Sequence, residues 1–495
     1  MAILIRRQVR VRGLLISLLI AIPVWIVGGL AGEILASVLR APRVGGDWER
    51  ALVTAATQVF VSVAVALWIS RRQPEVVDAH KRGTVLLQAA RPAAVPMGTV
   101  TLAGVPLDLQ DEVKHIKIIG TTGSGKSTAI RELLTGALGR GDRAIIADPD
   151  GSYAKRFYRP ARGDRILNPF DERSARWDLF AEIDQPYDIE QLARSLIPEG
   201  PDASGHEWRS FARTFLGSVM EYCKTEGKTD LAELYRLLAV AEPEELQEIL
   251  AGSAAQPLLA GSDSRMFRAT RGTATPVFNA LRYAKGVRSG DLLSIRHWIR
   301  EGRGVLFLPY SASQIAALKG LIATWMRLAI FETMNLGEGD HRLWFVVDEL
   351  DALGQIDGLK DALARLRKFG GRCVIGFQSI AQVRGTYGET DANTIVENCG
   401  TTLILRCSAS ERGGTAEFAS RLIGKREVVR RHISRSRPTA IGGGAHETQT
   451  TSDHHTVEDA VMASQIEQLP DLSGFLKIAS TPYWQSVRIE LPPNL

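Results

Sequence analysis

Ile118 to Thr128 reads I-I-G-T-T-G-S-G-K-S-T. An apolar strand end runs into Gly120-x4-Gly125, followed at once by Lys126 and Ser127, which fits the template of a phosphate-binding loop without a mismatch. Glycines at these positions let backbone N–H groups turn inward around phosphates, where side chains would obstruct them. Gly120, Thr121, Thr122, Gly123, Ser124, Gly125, Lys126, Ser127 and Thr128 form the expected cradle for a triphosphate. In it Lys126 reaches the β and γ phosphates and the Ser127 hydroxyl ligates Mg²⁺. The flanks agree: Ile116 to Ile119 is predicted as a strand and Ser127 to Leu138 as a helix.

Further along, L-W-F-V-V-D-E (Leu343 to Glu349) is a buried-strand pattern ending in two acids. A strand of this kind delivers Asp348 to the carboxyl edge of a sheet, beside the metal. Glu349, directly after it, is placed to orient and deprotonate an attacking water. Gln378, in V-I-G-F-Q-S, follows another apolar run and can hold that water or sense the γ-phosphate. A ring motor needs an arginine from a neighbouring subunit, because charge builds on the γ-phosphoryl oxygens. Arg365, Arg367, Lys368, Arg372, Arg384 and Arg406 all lie near the Gln378 strand, and spacing does not choose among them.

The apolar runs H-I-K-I-I-G, R-A-I-I-A-D, G-V-L-F-L-P, L-W-F-V-V-D, C-V-I-G-F-Q and T-L-I-L-R-C are continuous rather than alternating. With helical patterns between them, they predict a mainly parallel sheet covered on both faces. From about Glu182 to Gly290 the rhythm becomes wholly helical, which predicts an all-α domain inserted into the α/β domain. Arg430 to Asp453, rich in Arg, Ser, Thr and Gly, reads as a polar surface loop, with His446, His454 and His455 solvated in it.

Composition adds little to the chemistry but much to the N-terminus. Net charge is +5 with 23% charged residues, no global nucleic-acid signature, though a basic channel in an oligomer is a local property. The four cysteines show no zinc or C-x-x-C spacing and read as reduced core thiols. Residues 13–38 and 51–69 are apolar runs, and about 20 residues suffice to cross a hydrocarbon core of about 30 Å. Arg6, Arg7, Arg10 and Arg12 precede the first, and Arg71, Arg72, Lys81 and Arg82 follow the second. The positive-inside rule then places both termini and the ATPase domain in the cytoplasm of a multi-pass inner-membrane protein, although Arg40, Arg43 and Arg50 lie in the connecting loop.

The ordered set G-T-T-G-S-G-K-S, D-P-D-G-S-Y, I-L-N-P-F-D-E-R-S-A-R-W-D-L-F, V-V-D-E-L, G-F-Q-S and I-E-Q-L-P-D-L-S resembles the type IV secretion coupling proteins of the TraD/TrwB group. The resemblance runs from about Gly98 to Leu476. It implies a RecA-like P-loop ATPase anchored by two transmembrane helices in residues 1–72, with a discontinuous nucleotide-binding domain at 73–181 and 291–495 and the helical domain at 182–290. It further implies a homo-hexamer that binds ATP and Mg²⁺ and links relaxase-bound DNA, single- or double-stranded, to the channel in conjugation. Residue by residue, Lys126 and Ser127 match the family's nucleotide residues, Asp348 and Glu349 its acidic pair, and Gln378 its glutamine. Arg367, in A-L-A-R-L-R-K-F-G-G, matches the position that reaches a neighbour's nucleotide, and Lys114 a basic residue near the site. Two other readings stay open: a chromosome-translocating motor of the FtsK kind, and a nucleotide-dependent scaffold that recruits a relaxase or effector without pumping.

Overall fold

The six apolar runs are all strands of one sheet in the computed structural model, which describes residues 55–57, 78–88, 96, 98–199, 205–259, 264–284, 290–410, 414–436 and 448–491. In chain order the strands begin with β1 (Asp78–Gly83), β2 (Leu86–Gln88), and a short antiparallel pair, β3 (Thr101–Leu102) and β4 (Val105–Pro106). Then come β5 (Ile116–Ile119), β6 (Arg143–Pro149), β7 (Arg165–Ile166), β8 (Arg176–Trp177), β9 (Leu292–Leu293) and β10 (Val305–Tyr310). They continue with β11 (Leu343–Val347), β12 (Gly371–Phe377), β13 (Thr401–Ile404), β14 (Lys425–Ser436), β15 (Thr448–Asp459), β16 (Ser473–Lys477) and β17 (Trp484–Arg488).

The main sheet has the order β2-β17-β16-β13-β5-β12-β11-β6-β10-β7. From β13 to β7 every pairing is parallel, while β13, β16 and β17 pair antiparallel. Continuous apolar runs arise because both faces are covered and successive side chains alternate between them. Ile116, Ile118, Ile146, Trp344 and Val374 join one core with helix α2, whereas Ile145, Phe345, Val347 and Ile375 join the other.

Helices α1 (Leu109–Glu112), α2 (Lys126–Gly139) and α3 (Ser152–Phe157) precede a helical block between β8 and β9. The block comprises α4 (Pro186–Leu196), α5 (His206–Thr225), α6 (Leu231–Ala239), α7 (Pro243–Ile249), α8 (Gln256–Leu259) and α9 (Ser264–Ala284). Helices α10 (Ile295–Glu301), α11 (Ile315–Asn335) and α12 (Leu359–Arg365) follow. An α/β P-loop body with an all-α part is therefore present. Helix α11 is mostly apolar and is buried without a break from Leu321 to Ile330, with Arg327 among the buried residues, and touches α4, α9 and α10. Trp325 on α11 meets Trp177 edge-on, with ring centroids 5.8 Å apart.

The block leaves and returns through a narrow neck, where β8 pairs parallel with β9, Arg176 opposite Leu292 and Trp177 opposite Leu293. Just beyond it, the carboxylate of Glu182 (1% exposed) accepts the N–H groups of Ile295 (2.6 Å) and Arg296 (3.0 Å) and the Trp177 indole N–H (3.1 Å). It thus satisfies the free N–H groups at the start of α10.

At the amino-terminal edge of the sheet a second buried carboxylate ties two long elements together. Both oxygens of Glu112 accept from Arg140, at the C-terminus of α2 (2.9 and 2.8 Å), and Oε2 also accepts Arg372 Nε on β12 (2.8 Å). Beside them, Trp344 Nε1 donates to Asp142 at 2.9 Å.

The chain divides into two compact units, one of residues 81–427 and 457–495 carrying the main sheet and the helices above, the other of residues 1–80 and 428–456. In the latter, β1, β14 and β15 supply nearly all the described residues and order as β1-β14-β15. Arg430 to Asp453 is therefore not the loop its composition predicts: much of it lies in β14 and β15. Threonines, Val and Ile recur through these arms and favour extended backbone.

The multi-pass inner-membrane localisation needs correction. Among the described residues no helix is long and apolar enough to cross a membrane. The runs at 13–38 and 51–69 that carried the expectation lie, apart from helical Ala55–Thr57, outside the described residues, and the transmembrane anchor with them.

The neck makes a prediction. Glu182→Ala leaves two backbone N–H groups and an indole N–H unpaired in a buried position, at a cost of about 3 kcal/mol. Urea denaturation of the purified chain should show an unfolding free energy lower by that amount, with the midpoint shifted down accordingly, and an unchanged midpoint would mean the cap is dispensable.

Candidate functional site

Parallel pairing brings the carboxyl ends of β5, β6, β11 and β12 to one edge, and the residues that follow those strands line a cleft of about 660 Å³. The loop after β5 turns through left-handed glycines, Gly123 at φ 77° and Gly125 at φ 116°, into α2. A Cβ on Gly125 would lie 2.9 Å from the Leu472 side chain, and one on Gly120 2.6 Å from Ser124 Oγ. The loop is also held from outside, since Thr121 N–H donates to the Arg406 carbonyl (2.8 Å) and Leu472 N–H to the Ser124 carbonyl (3.0 Å).

Lys126 opens α2 and folds back, its ammonium donating to the carbonyls of Gly120 (2.8 Å) and Thr121 (3.3 Å). Burial lowers its pKa, opposed by the negative charges of Asp348 and Glu349. One residue on, Ser127 Oγ donates to Asp348 Oδ2 at 2.6 Å. Asp348 is 4% exposed, and its other oxygen, Oδ1, is buried with no hydrogen-bond partner among the described residues. A buried anionic oxygen left open beside a serine hydroxyl fits a divalent cation or its water, so the donor set suits Mg²⁺.

Glu349 lines the same cleft and accepts a hydrogen bond from Gln378 Nε2, while Gln378 Oε1 accepts one from Thr122 Oγ1 of the loop (2.8 Å). Burial raises the Glu349 pKa, the charge of Asp351 adds to this, and Gln378 opposes it. A half-buried carboxylate of raised affinity for protons, held at the mouth of a phosphate loop, can accept a proton from water. The cleft thus brings together Lys126, Ser127, Asp348, Glu349 and Gln378.

It does not bring in Arg367. That residue is exposed on a 3₁₀ turn, Leu366–Phe369, before β12, whereas Gln378 follows β12, so a strand of about 20 Å separates them. Lys114 likewise precedes β5 at the far edge, where it pairs with Asp111 at 2.9 Å. Arg372 is consumed by Glu112, Arg384 donates to Asn393 (3.2 Å), and Arg406 pairs with Asp471 (2.7 Å).

Sequence reading missed several cleft residues. Arg131, one turn after Ser127, lines the wall, as do Asp471 and Leu472, which belong to I-E-Q-L-P-D-L-S, a motif visible in the sequence without a role, and Leu491. Tyr153 and Asp148 sit beneath the floor. The Tyr153 hydroxyl donates to Asp348 Oδ2 (2.8 Å), and Asp148 caps α3 by accepting the N–H groups of Tyr153 (2.9 Å) and Ala154 (2.7 Å). Both belong to D-P-D-G-S-Y, a motif visible in the sequence without a role.

Asp148 generates a pH prediction. Burial raises its carboxyl to about 6, with the capping N–H groups opposing. A folded-state value above the unfolded one of about 3.9 means the folded protein binds the proton more tightly. Its contribution therefore falls as pH rises through that window. Asp148→Asn should remove this slope: between pH 4 and pH 7 the stability difference should move against wild type by about 2 to 3 kcal/mol. Denaturation of both proteins at the two pH values measures it, and parallel profiles would refute it.

With this geometry in place, comparison with known proteins is informative. Residues 99–492 match the family described as the type IV secretion-system coupling protein DNA-binding domain. Coupling protein TraD of Escherichia coli (strain K12) is 31% identical over 392 residues, covering 78% of this chain and 53% of TraD, so the chain spans about half the length of that relative. The solved structure of plasmid coupling protein TrwB in complex with ADP and Mg²⁺ superposes with a TM-score of 0.73 at 30% identity, covering 85% of this chain and 96% of that one. TrwB in complex with a non-hydrolysable ATP analogue gives the same TM-score, identity and coverage. The match across most of the sequence and the shared fold lead to one conclusion: this chain belongs to the type IV secretion-system coupling protein family.

Proposed function

We propose that this chain is a DNA-dependent ATPase that couples a relaxase-bound DNA substrate to a type IV secretion channel during conjugation. The observation that carries the reading is the convergence of Lys126, Ser127, Asp348, Glu349 and Gln378 on one cleft. It is supported by TrwB, a coupling protein that holds ADP and Mg²⁺ in its solved structure. We take residues 182–290 as the inserted domain and 73–181 with 291–495 as the nucleotide-binding domain.

In this mechanism the inward N–H groups of Gly120 to Thr128 cradle the phosphates of ATP. Lys126 exchanges its loop carbonyls for β- and γ-phosphate oxygens. Ser127 and Asp348 hold Mg²⁺, which supplies positive charge to the phosphate chain when bound. Glu349 accepts a proton from water as the water oxygen attacks the γ-phosphorus and the bond to the bridging oxygen breaks. Gln378, shared between Glu349 and the loop residue Thr122, couples the state of the γ-phosphate to the base.

Arg367, on the opposite edge of the sheet, has no path to its own cleft but can serve the next subunit of a homo-hexamer. Contacts with DNA, single- or double-stranded, would be directed at the backbone and so tolerant of sequence. Relaxase and channel components complete the assembly.

Three measurements test the reading. Turnover of ATP by the full chain should rise on addition of single-stranded DNA, and equal rates with and without DNA would refute a DNA-dependent motor. Glu349→Gln should keep nucleotide binding while turnover falls about 10²- to 10⁴-fold, the usual worth of a positioned base. Lys126→Ala and Arg367→Ala should each be inactive alone, yet mixed subunits should recover part of the activity. No recovery would place Arg367 outside the neighbour's cleft.

A further inference from the structure

D-P-D-G-S-Y, Asp148 to Tyr153, does something the mechanism above does not use. After β6 the chain turns through two left-handed residues, Asp150 at φ 56° and Gly151 at φ 62°, and Asp150 N–H is fixed to the Tyr310 carbonyl at 2.7 Å. The Asp148 carboxylate then clamps the first turn of α3. Tyr153 is left with no freedom: it is fully buried, and the Arg131 guanidinium stands 5.7 Å from its ring centroid. A phenylalanine would fill that volume equally well. A buried hydroxyl is costly unless it is paired; this one donates to Asp348 Oδ2 at 2.8 Å and also lies within hydrogen-bonding reach of the Ser127 hydroxyl.

Asp348 Oδ2 therefore receives two hydroxyl donors, from Ser127 and Tyr153, and Oδ1 receives none among the described residues. If Ser127 alone held the carboxylate, the group could rotate and exchange its oxygens. The second donor, anchored in the core, removes that freedom. We propose that Tyr153 is a positioning residue, which by donating to Oδ2 locks Asp348 so that Oδ1 stays the free acceptor for Mg²⁺ or its water. The proposal rests on the reading of the cleft as a Mg²⁺–nucleotide site. It places Tyr153 behind a metal-binding carboxylate, as groups behind metal ligands commonly set ligand orientation and affinity.

The test is a Mg²⁺ titration of fluorescent ADP binding by the full chain, wild type against Tyr153→Phe. The variant should need about 10- to 100-fold more Mg²⁺ for half-maximal effect, while ADP binding in EDTA stays unchanged. Superimposable titrations would overturn the proposal. So would an equal loss of binding in EDTA, which is what a merely structural role produces. In an Asp348→Asn background the same substitution should add no further shift; a full further shift would mean that Tyr153 acts elsewhere. If Tyr153→Phe fails to fold, native protein supplies a second readout: Mg²⁺ added to the ADP complex should perturb tyrosine ultraviolet absorbance, and no perturbation overturns the idea. Wild-type protein that binds ADP in neither condition would instead remove the nucleotide-site reading, and this inference with it.

Discussion

Because β5, β6, β11 and β12 run parallel and in register, with Ile375 opposite both Lys117 and Val347, their carboxyl ends are forced to one edge of the sheet. Residues far apart in the chain then have no choice of neighbours. The loop after β5, Asp148 ending β6, Asp348 and Glu349 after β11, and Gln378 after β12 meet there because each strand stops within a residue or two of the same line. The hydrogen bonds that cross between these strand ends, from Ser127 to Asp348 and from Gln378 to Glu349, presuppose that shared direction.

The opposite edge is organised by charge rather than by strand ends. Helix α2, about 20 Å long at 1.5 Å per residue, starts at the phosphate loop and ends at Arg140, while β12 ends beside Gln378 and starts near Arg372. Glu112 joins the two arginines with three hydrogen bonds, all its oxygens satisfied. Removing one member of such a buried cluster leaves an unpaired charge, which costs more than the pair contributes. Two rods that both touch the nucleotide cleft are therefore clamped to each other at their far ends, and Arg367 sits on the turn just before one of them.

How much of this was legible beforehand follows from how local each signal is. The strands of the parallel core, the phosphate loop and the acids after β11 are contiguous patterns, and the sequence states them almost literally. The helical block was legible as a change of period, although its shared core with α11 was not, since α11 reads simply as apolar. The antiparallel strands β16 and β17 are short and only partly buried, so they lack the continuous apolar run that marked the others. Composition misled once, in the segment now divided between β14 and β15, where Arg, Ser and Gly masked β-branched residues. Tyr153 was hidden for a different reason: a buried tyrosine looks like core until its hydroxyl is seen to donate to Asp348.

The C-terminal segment carries a consequence for how the molecule is made. Leu472 is hydrogen-bonded to the Ser124 carbonyl, and with Asp471 and Leu491 it completes one wall of the cleft whose floor is built by the phosphate loop. A ribosome delivers the loop early and that wall only after most of the polypeptide has emerged. The nascent chain therefore passes through synthesis of the sheet and the helical block with its cleft still lacking that wall.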